Sequence, residues 1–271
     1  MVWCSPVFFR PKVKLPGFTS RWKIDLCDCE GAYDRIWLDV VLVIDSSSDM
    51  TANGLDNAWG LVNSPLYSMS FGRDPYQSRV GVVVYADDVQ IVKDLDDIQS
   101  GDDVDGIRVP YLGGEGNNLR GAIQTASEML DNEVPDRNAR KVIVIITSSY
   151  DDSGADDPRQ VASQFRHSGG IIMTIEYMQP GDDHIPKLAE LATPGYVFRN
   201  DQINVVDQLE AFCQANCFCR SSLTAYSSDD RGAPDGGCFE HVNAPAIYRS
   251  AMNSCKEKQS TLVSIHDQRK Q

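Results

Sequence analysis

The stretch Trp37 to Ile44 (WLDVVLVI) constrains the possible folds of this chain more than any other part of the sequence. The stretch is apolar except for Asp39 and is rich in β-branched residues, which favour extended strands. A continuous apolar run of this length is typical of a strand buried on both faces. Such strands occur in sheets that helices cover on both sides, and these sheets are mostly parallel. The run therefore predicts the centre of a layered α/β domain.

The segments that follow alternate between strand and helix patterns. Further strands are predicted at Arg79–Tyr85, Val142–Ile146, Ile171–Ile175 and Tyr196–Phe198, with Val89–Val92 as an antiparallel hairpin partner of the first of these. Apolar residues at helical spacing predict helices around Leu55–Val62, Leu119–Leu130, Asp157–Gly169, Ile185–Leu191 and Val205–Phe212. This alternation predicts a doubly wound, mostly parallel α/β sheet of the Rossmann-like type.

Charge and missing motifs exclude several function classes. The 271 residues carry 25 basic and 39 acidic side chains, a net charge of −14, which repels phosphate backbones, so no nucleic-acid partner is expected. No apolar run approaches the ~20 residues of a membrane span. The chain has no Gly-x-Ser-x-Gly, phosphate-loop or His-Glu-x-x-His motif, and its four histidines are scattered. We therefore predict a non-enzymatic protein; the alternative, a hydrolase built on Ser47 or Ser148, requires a nearby histidine.

Polar residues follow the first predicted strand directly, as Asp45-Ser46-Ser47-Ser48-Asp49. Ligands of doubly wound sheets bind at the carboxyl ends of the strands. Carboxylate and hydroxyl oxygens in this position suit Mg²⁺, which prefers about six oxygen ligands. The competing interpretation is that Asp45, Ser47 and Ser48 only cap the turn that follows the strand.

The segment WLDVVLVIDSSSDM resembles the first strand and the metal-ion-dependent adhesion site (MIDAS) loop of a von Willebrand factor type A domain. The resemblance covers residues 36–212 in element order and implies five candidate ligand positions. Asp45 and Ser47 match the family, whereas Asp49 replaces a Ser and Asn117 replaces a Thr. Ser148 stands where the family has its second Asp. Because a neutral hydroxyl replaces that carboxylate, we expect a degenerate site without a cofactor, with a Mg²⁺-dependent adhesion site as the alternative.

Residues 219–271 are similar to the opening of a C-type lectin-like domain, through Gly236-Gly237-Cys238-Phe239, Ala251–Cys255 and Leu262–His266 (LVSIH). A type A domain followed directly by a C-type lectin-like part resembles the domain order of the nematode C-type lectin family. This implies a secreted protein of recognition or defence that binds an unidentified protein or glycan ligand. The predicted domains are an N-terminal extension at 1–33, a type A domain at 34–216 and an incomplete lectin-like part at 217–271.

Eight cysteines flank a block that contains none between Cys29 and Cys213, a placement that favours an extracellular, disulfide-bonded domain. No signal-peptide pattern opens the chain, and we expect the natural start to lie upstream. Because domain termini often lie close together, Cys27, Cys29, Cys213 and Cys217 are predicted to join the ends of the block in an unknown pairing. The lectin resemblance implies a Cys219–Cys238 bond and leaves Cys4 and Cys255 unpaired. A zinc site on Cys27, Cys29, Cys217 and Cys219 is the alternative.

Overall fold

The structure of the protein is a computed structural model that describes residues 2–6, 29, 31–131, 137–152, 157–219, 223–242, 245–257 and 260–262. The chain divides into two compact units. The larger unit is Cys29–Asn216, and the smaller unit combines Met1–Asp28 with Cys217–Gln271. Strand β1 (Val2–Pro6) belongs to the smaller unit.

The larger unit is built on one six-stranded sheet, ordered β4-β3-β2-β5-β6-β7. Its strands are β2 (Leu38–Asp45), β3 (Arg79–Tyr85), β4 (Val89–Lys93), β5 (Arg140–Thr147), β6 (Ile171–Glu176) and β7 (Val197–Arg199). Only the β3–β4 pair is antiparallel. The helices are α1 (Ala52–Asn63), α2 (Gly101–Asp105), α3 (Leu119–Asp131), α4 (Arg159–His167) and α5 (Val205–Ala215). The predicted fold class, a mostly parallel α/β sheet, is confirmed.

The central strand β2 is buried along its whole length. Alternate side chains of a strand point to opposite faces of the sheet. Leu42 and its alternate neighbours pack in one core that includes Leu55 of α1 and Phe212 of α5. Val41 and Val43 pack in a second core with the apolar stripe of α3. Two separate cores explain why the sequence of this strand is apolar at nearly every position.

Two predicted helices differ from those observed. The segment Ile185–Leu191 forms only a short 3₁₀ turn, Pro186–Glu190, which begins at a proline without a backbone N–H. Helix α5 does begin at Val205, but Val205 and Val206 are exposed. They occupy its first turn, where Asn204 and Asp207 form a capping box, and the buried face begins with Gln208 and Leu209.

The smaller unit contains an antiparallel sheet, ordered β10-β1-β9-β8. Its later elements are β8 (Thr224–Ser228), β9 (Pro234–Val242), α6 (Tyr248–Glu257) and β10 (Ser260–Leu262). The sequence predicts residues 1–33 as a separate extension, whereas β1 pairs with both β9 and β10. That pairing is long-range in sequence, so no local pattern indicates it. Of the LVSIH motif, residues 263–266 lie outside the described residues.

Disulfides occur in both units. Cys29 is bonded to Cys213, with 5.7 Å between their Cα atoms, and Cys219 is bonded to Cys238, with 5.5 Å between theirs. Cys217 and Cys255 are also disulfide-bonded. The expectation that Cys255 stays unpaired is wrong, because its partner was assumed to lie beyond residue 271 although the chain itself supplies one. The side chains of Cys4 and Cys27 lie outside the described part.

The zinc alternative is also wrong for the cysteines that the structure describes. Metal binding needs thiolates, and Cys29, Cys217 and Cys219 are oxidised in disulfides.

Replacing both Cys29 and Cys213 by alanine is expected to lower the free energy of unfolding by about 2–4 kcal/mol. The bond spans 184 residues of sequence, so its loss frees a long loop in the unfolded chain. Urea titration of the oxidised wild type and the double variant measures the change. An unchanged midpoint would show that the bond contributes nothing to the larger unit.

Candidate functional site

The candidate site lies where β2 ends, at the carboxyl edge of the parallel sheet. Asp45 is the last residue of β2, and its side chain is fully buried. The neighbouring strand β5 ends at Thr147, so the loop that begins with Ser148 starts beside Asp45. Strand β3, the next strand in the sequence, lies on one side of β2, and β5 lies on its other side. This reversal of strand order is where doubly wound sheets open a crevice for ligands.

Donors of the protein itself surround the Asp45 carboxylate. The Ser47 backbone N–H donates to Oδ1 at 2.9 Å. The other oxygen, Oδ2, accepts from the Ser148 N–H at 3.0 Å and from the Ser148 hydroxyl at 2.8 Å. The Thr147 hydroxyl lies 3.2 Å from Oδ2, but its single proton has a nearer acceptor in the Ser149 carbonyl oxygen, at 2.6 Å. The bonds from Ser47 and Ser148 stabilise a buried negative charge without a cation. Ser148, which stands where the resemblance expects a second carboxylate, is thus a donor to the first one.

A buried tyrosine extends this network. The Tyr85 hydroxyl, at the end of β3, donates to the Thr147 hydroxyl at 2.9 Å. Burial and the Asp45 charge raise the pKa of the Tyr85 phenol well above its usual value, although the hydrogen bond with Thr147 opposes them. The phenol therefore remains protonated at neutral pH and keeps its role as a donor.

The glycine-rich loop that precedes α3, residues 110–118, is held through Ser46 against the loop that follows β2. The Ser46 hydroxyl donates to the Pro110 carbonyl and accepts from the Leu112 N–H, both at 2.8 Å. A Cβ at Gly114 or Gly116 would collide with the Asp87 carboxylate, which follows β3. Glycine at these positions thus permits the close approach of the loop to Asp87.

The five predicted site residues are only partly brought together. Ser47 and Ser148 bond to Asp45, as described above. Asn117 Nδ2 donates to the Ser149 hydroxyl at 2.9 Å, which places Asn117 against the loop after β5. Asp49 is exposed, and only its backbone carbonyl takes a described hydrogen bond, from Gln179 Nε2 at 2.7 Å.

Two oxygens of the site have no hydrogen-bond partner: the Ser47 hydroxyl and Asn117 Oδ1 are buried and unsatisfied. Both are neutral ligand types that Mg²⁺ accepts. The charged part of the donor set is poor, however, because Asp45 is its one buried carboxylate and Asp45 Oδ2 already accepts two bonds from Ser148. Within the described residues no group of three or more His, Cys, Asp or Glu side chains is arranged to hold a metal ion. The residues present therefore do not fit a divalent cation well.

Sequence reasoning missed three parts of this site. Thr147 is the last residue of β5 and Tyr85 is the last residue of β3. Because the parallel strands end at the same edge of the sheet as β2, both positions could have been predicted to lie near Asp45. The sequence signal for Asp87 is the pair Gly114 and Gly116, which lie against its carboxylate. Two of the described histidines have other partners: His167 contacts Ser163 and His184 contacts Glu176. Neither of these two therefore serves as a base for Ser47 or Ser148.

Comparisons with known proteins agree with this architecture. The von Willebrand factor type A domain profile matches residues 39–212. A curated relative, C-type lectin domain-containing protein 160 of Caenorhabditis elegans, is 29% identical over 245 residues, covering 85% of this chain and 37% of its own length. Hence this chain spans well under half of that relative.

Two crystal structures of proximal thread matrix protein 1 from the mussel byssus share the fold. One, crystal form 2, has a TM-score of 0.52 at 18% identity, and the other, described as having a zinc-occupied MIDAS motif, has 0.50 at 17%. Each match covers 66% of this chain and 46% of the mussel protein chain.

No helix in the described part of the chain has the length and apolarity to cross a membrane. The disulfides, the type A fold and the lectin-named relative are consistent with an extracellular protein. The sheet order, the site at its carboxyl edge and the profile match over residues 39–212 together show that this chain belongs to the von Willebrand factor type A domain family.

Proposed function

We propose that this protein is a non-enzymatic, extracellular binding protein whose type A domain engages its ligand without a metal ion. The observation that carries the proposal is the Asp45 carboxylate, which donors of the chain itself satisfy. In an adhesion site that works through a metal, the ion presents an open coordination position to the ligand. Here the Ser148 hydroxyl fills the place from which a second carboxylate would hold that ion.

The ligand proposed is a protein or a glycan, bound in an extracellular recognition or defence role. The type A family membership and the name of the Caenorhabditis elegans relative support this class of partner. The net charge of −14 argues against anionic ligands such as nucleic acids. The lectin-like character of residues 217–271 is part of the same proposal, supported by that relative and by the Cys219–Cys238 bond.

Adding Mg²⁺ or Mn²⁺ at millimolar concentration is expected to leave the melting temperature of the wild type unchanged. A ligand that binds only the folded state stabilises it by mass action, so a working metal site would show itself as a rise in melting temperature. Differential scanning fluorimetry in EDTA and in each metal measures the difference. A rise that saturates with metal concentration and disappears in an Asp45→Ala variant would contradict the proposal.

The matched variant combines Ser148→Asp with Asp49→Ser, which brings four of the five ligand positions to the family pattern and leaves Asn117 unchanged. Without metal, two carboxylates would share the pocket, so we expect this variant to melt below the wild type. At a Mg²⁺ concentration of 100 Kd, binding would stabilise it by about 2.7 kcal/mol, or roughly 5–10 °C. A metal response in this variant and none in the wild type would attribute the loss of metal binding to positions 49 and 148 together.

A second candidate is a Mg²⁺-dependent adhesion domain. It is favoured by two unsatisfied oxygens: the Ser47 hydroxyl, two residues after Asp45, and Asn117 Oδ1, in the glycine-rich loop. Binding would require the Ser148 hydroxyl to turn away from Asp45 Oδ2 and release a lone pair to the ion. The same titration of the wild type decides between the two candidates.

A further inference from the structure

A cavity of about 230 Å³ lies beside β6 and the edge strand β7. Strand β6 lies two positions along the sheet from β2, which carries Asp45. The 3₁₀ turn Pro186–Glu190 forms part of the cavity wall. Its walls combine apolar and polar groups, among them Thr174, Glu176, Ile185, Leu188, Phe198 and Arg199. The volume is below the ~300 Å³ at which sites for drug-sized ligands begin, so a ligand would be smaller than that.

A buried carboxylate forms the acceptor side of this cavity. Glu176 ends β6, and its side chain is only 4% exposed. One of its oxygens accepts from the Ile185 N–H, and the other contacts His184 Nδ1 at 2.5 Å. An ionised carboxylate can only accept, so this contact places the imidazole proton on Nδ1. Each Glu176 oxygen takes one bond and keeps a lone pair for a further donor.

Two donors in the cavity have no partner. The Thr174 hydroxyl is fully buried on β6 and makes no hydrogen bond. Arg199 Nε, at the end of β7, is also buried and unsatisfied, while the other end of its guanidinium pairs with Asp201 at 2.7 Å. Leaving a buried polar group without a partner costs about 1–3 kcal/mol. Both residues that carry these atoms belong to the wall of one cavity, beside an acceptor with spare lone pairs, and this combination points to a polar ligand.

The charges of the cavity limit what this ligand is. An anion would face the Glu176 carboxylate, and a cation would face the Arg199 guanidinium. A hydroxyl group is both donor and acceptor, so neighbouring hydroxyls can give a hydrogen bond to Glu176 and accept one from Arg199 or Thr174. Ile185, Leu188 and Phe198 supply apolar surface for the carbon skeleton. We propose that this cavity binds a small, uncharged molecule with adjacent hydroxyl groups.

The test titrates the full chain with D-glucose, D-galactose and D-mannose, and with ethanolamine and acetate as charged probes. The backbone amide of Ile185, bonded to Glu176, serves as the reporter in ¹H–¹⁵N spectra. We expect at least one neutral sugar to shift this resonance in a saturable way at millimolar concentration. Neither charged probe is expected to do so at the same concentration.

Thr174→Val removes the unsatisfied hydroxyl and keeps the shape of the side chain. We expect it to weaken the binding of the sugar about tenfold without lowering the melting temperature. Ala189→Phe, at an exposed position of the cavity wall, is expected to abolish the shift by filling the space. Thr125→Val in α3 makes the same chemical change away from the cavity and should bind like the wild type.

The proposal is overturned if no neutral sugar shifts the Ile185 amide, or if ethanolamine or acetate does so in place of the sugars. It is also overturned if Thr174→Val binds as tightly as the wild type, because the ligand would then lie elsewhere. None of these outcomes bears on the Asp45 site, whose test is the metal titration.

Discussion

Replacing Asp39 by alanine is expected to lower the free energy of unfolding by about 3–5 kcal/mol. Asp39 is the one polar residue in the apolar run Trp37–Ile44, and its carboxylate is bonded by two arginines. Arg79 binds it in a bidentate manner, with Nε–Oδ1 at 3.1 Å and an Nη atom at 2.7 Å from Oδ2. Arg137 Nε donates to Oδ1 at 2.8 Å. All three side chains are almost fully buried, at 6% exposure or less.

The cost follows from what the substitution leaves behind. Two guanidinium groups would stay buried without their common counter-ion, and breaking a buried ion pair from one side is far more harmful than losing an exposed one. Arg79 would retain only Asp96, at 3.7 Å and 38% exposed. Urea titration followed by circular dichroism measures the loss.

Asp96→Ala is the matched control. Asp96 pairs with the exposed Arg73 at 2.7 Å, and we expect its removal to cost at most about 1 kcal/mol. A loss for Asp39→Ala as small as that of the control would mean that water reaches the two arginines.

The sequence predicted the strands of the larger unit well, because burial on both faces leaves an apolar run that few other structures share. The same pattern could not explain Asp39. Its partner Arg137 lies 98 residues further along the chain, and no local periodicity connects the two. The paired β1 and β10 strands of the smaller unit were missed for the same reason, since their contact joins the ends of the chain.

The sequence predicted where the candidate site lies in the fold, but it did not predict the hydrogen bonds that its residues form. Asp45 and Ser148 follow two strands that the sequence identified, and parallel strands bring their carboxyl ends to one edge. Whether the Ser148 hydroxyl donates to Asp45 or turns to a metal depends on one rotatable bond, which residue identity does not determine. The buried Thr174 hydroxyl looked like an ordinary strand residue, and only the packing around it reveals the cavity.

Replacing Asp45 by alanine is expected to lower the free energy of unfolding by about 4 kcal/mol. The backbone N–H groups of Ser47 and Ser148 would lose their acceptor in a buried site, at about 1–3 kcal/mol each. The Thr147 hydroxyl keeps the Ser149 carbonyl as a partner, at 2.6 Å, so it adds little. Unfolding of the wild type and the variant by guanidinium chloride in the presence of EDTA measures the change in the free energy of unfolding.

Two further variants relate this loss to function. Asp45→Asn keeps an acceptor oxygen for one side of the network, so we expect it to cost about half as much as alanine. Ser148→Ala removes one donor and should cost about 1 kcal/mol. Carboxylates that hold a metal ion in proteins are themselves hydrogen-bonded by neighbouring groups. A large loss in EDTA for Asp45→Ala, graded through Asp45→Asn, would therefore mean that this carboxylate stabilises the loop edge in the absence of a cation, and the metal titration of the wild type decides whether it also binds one.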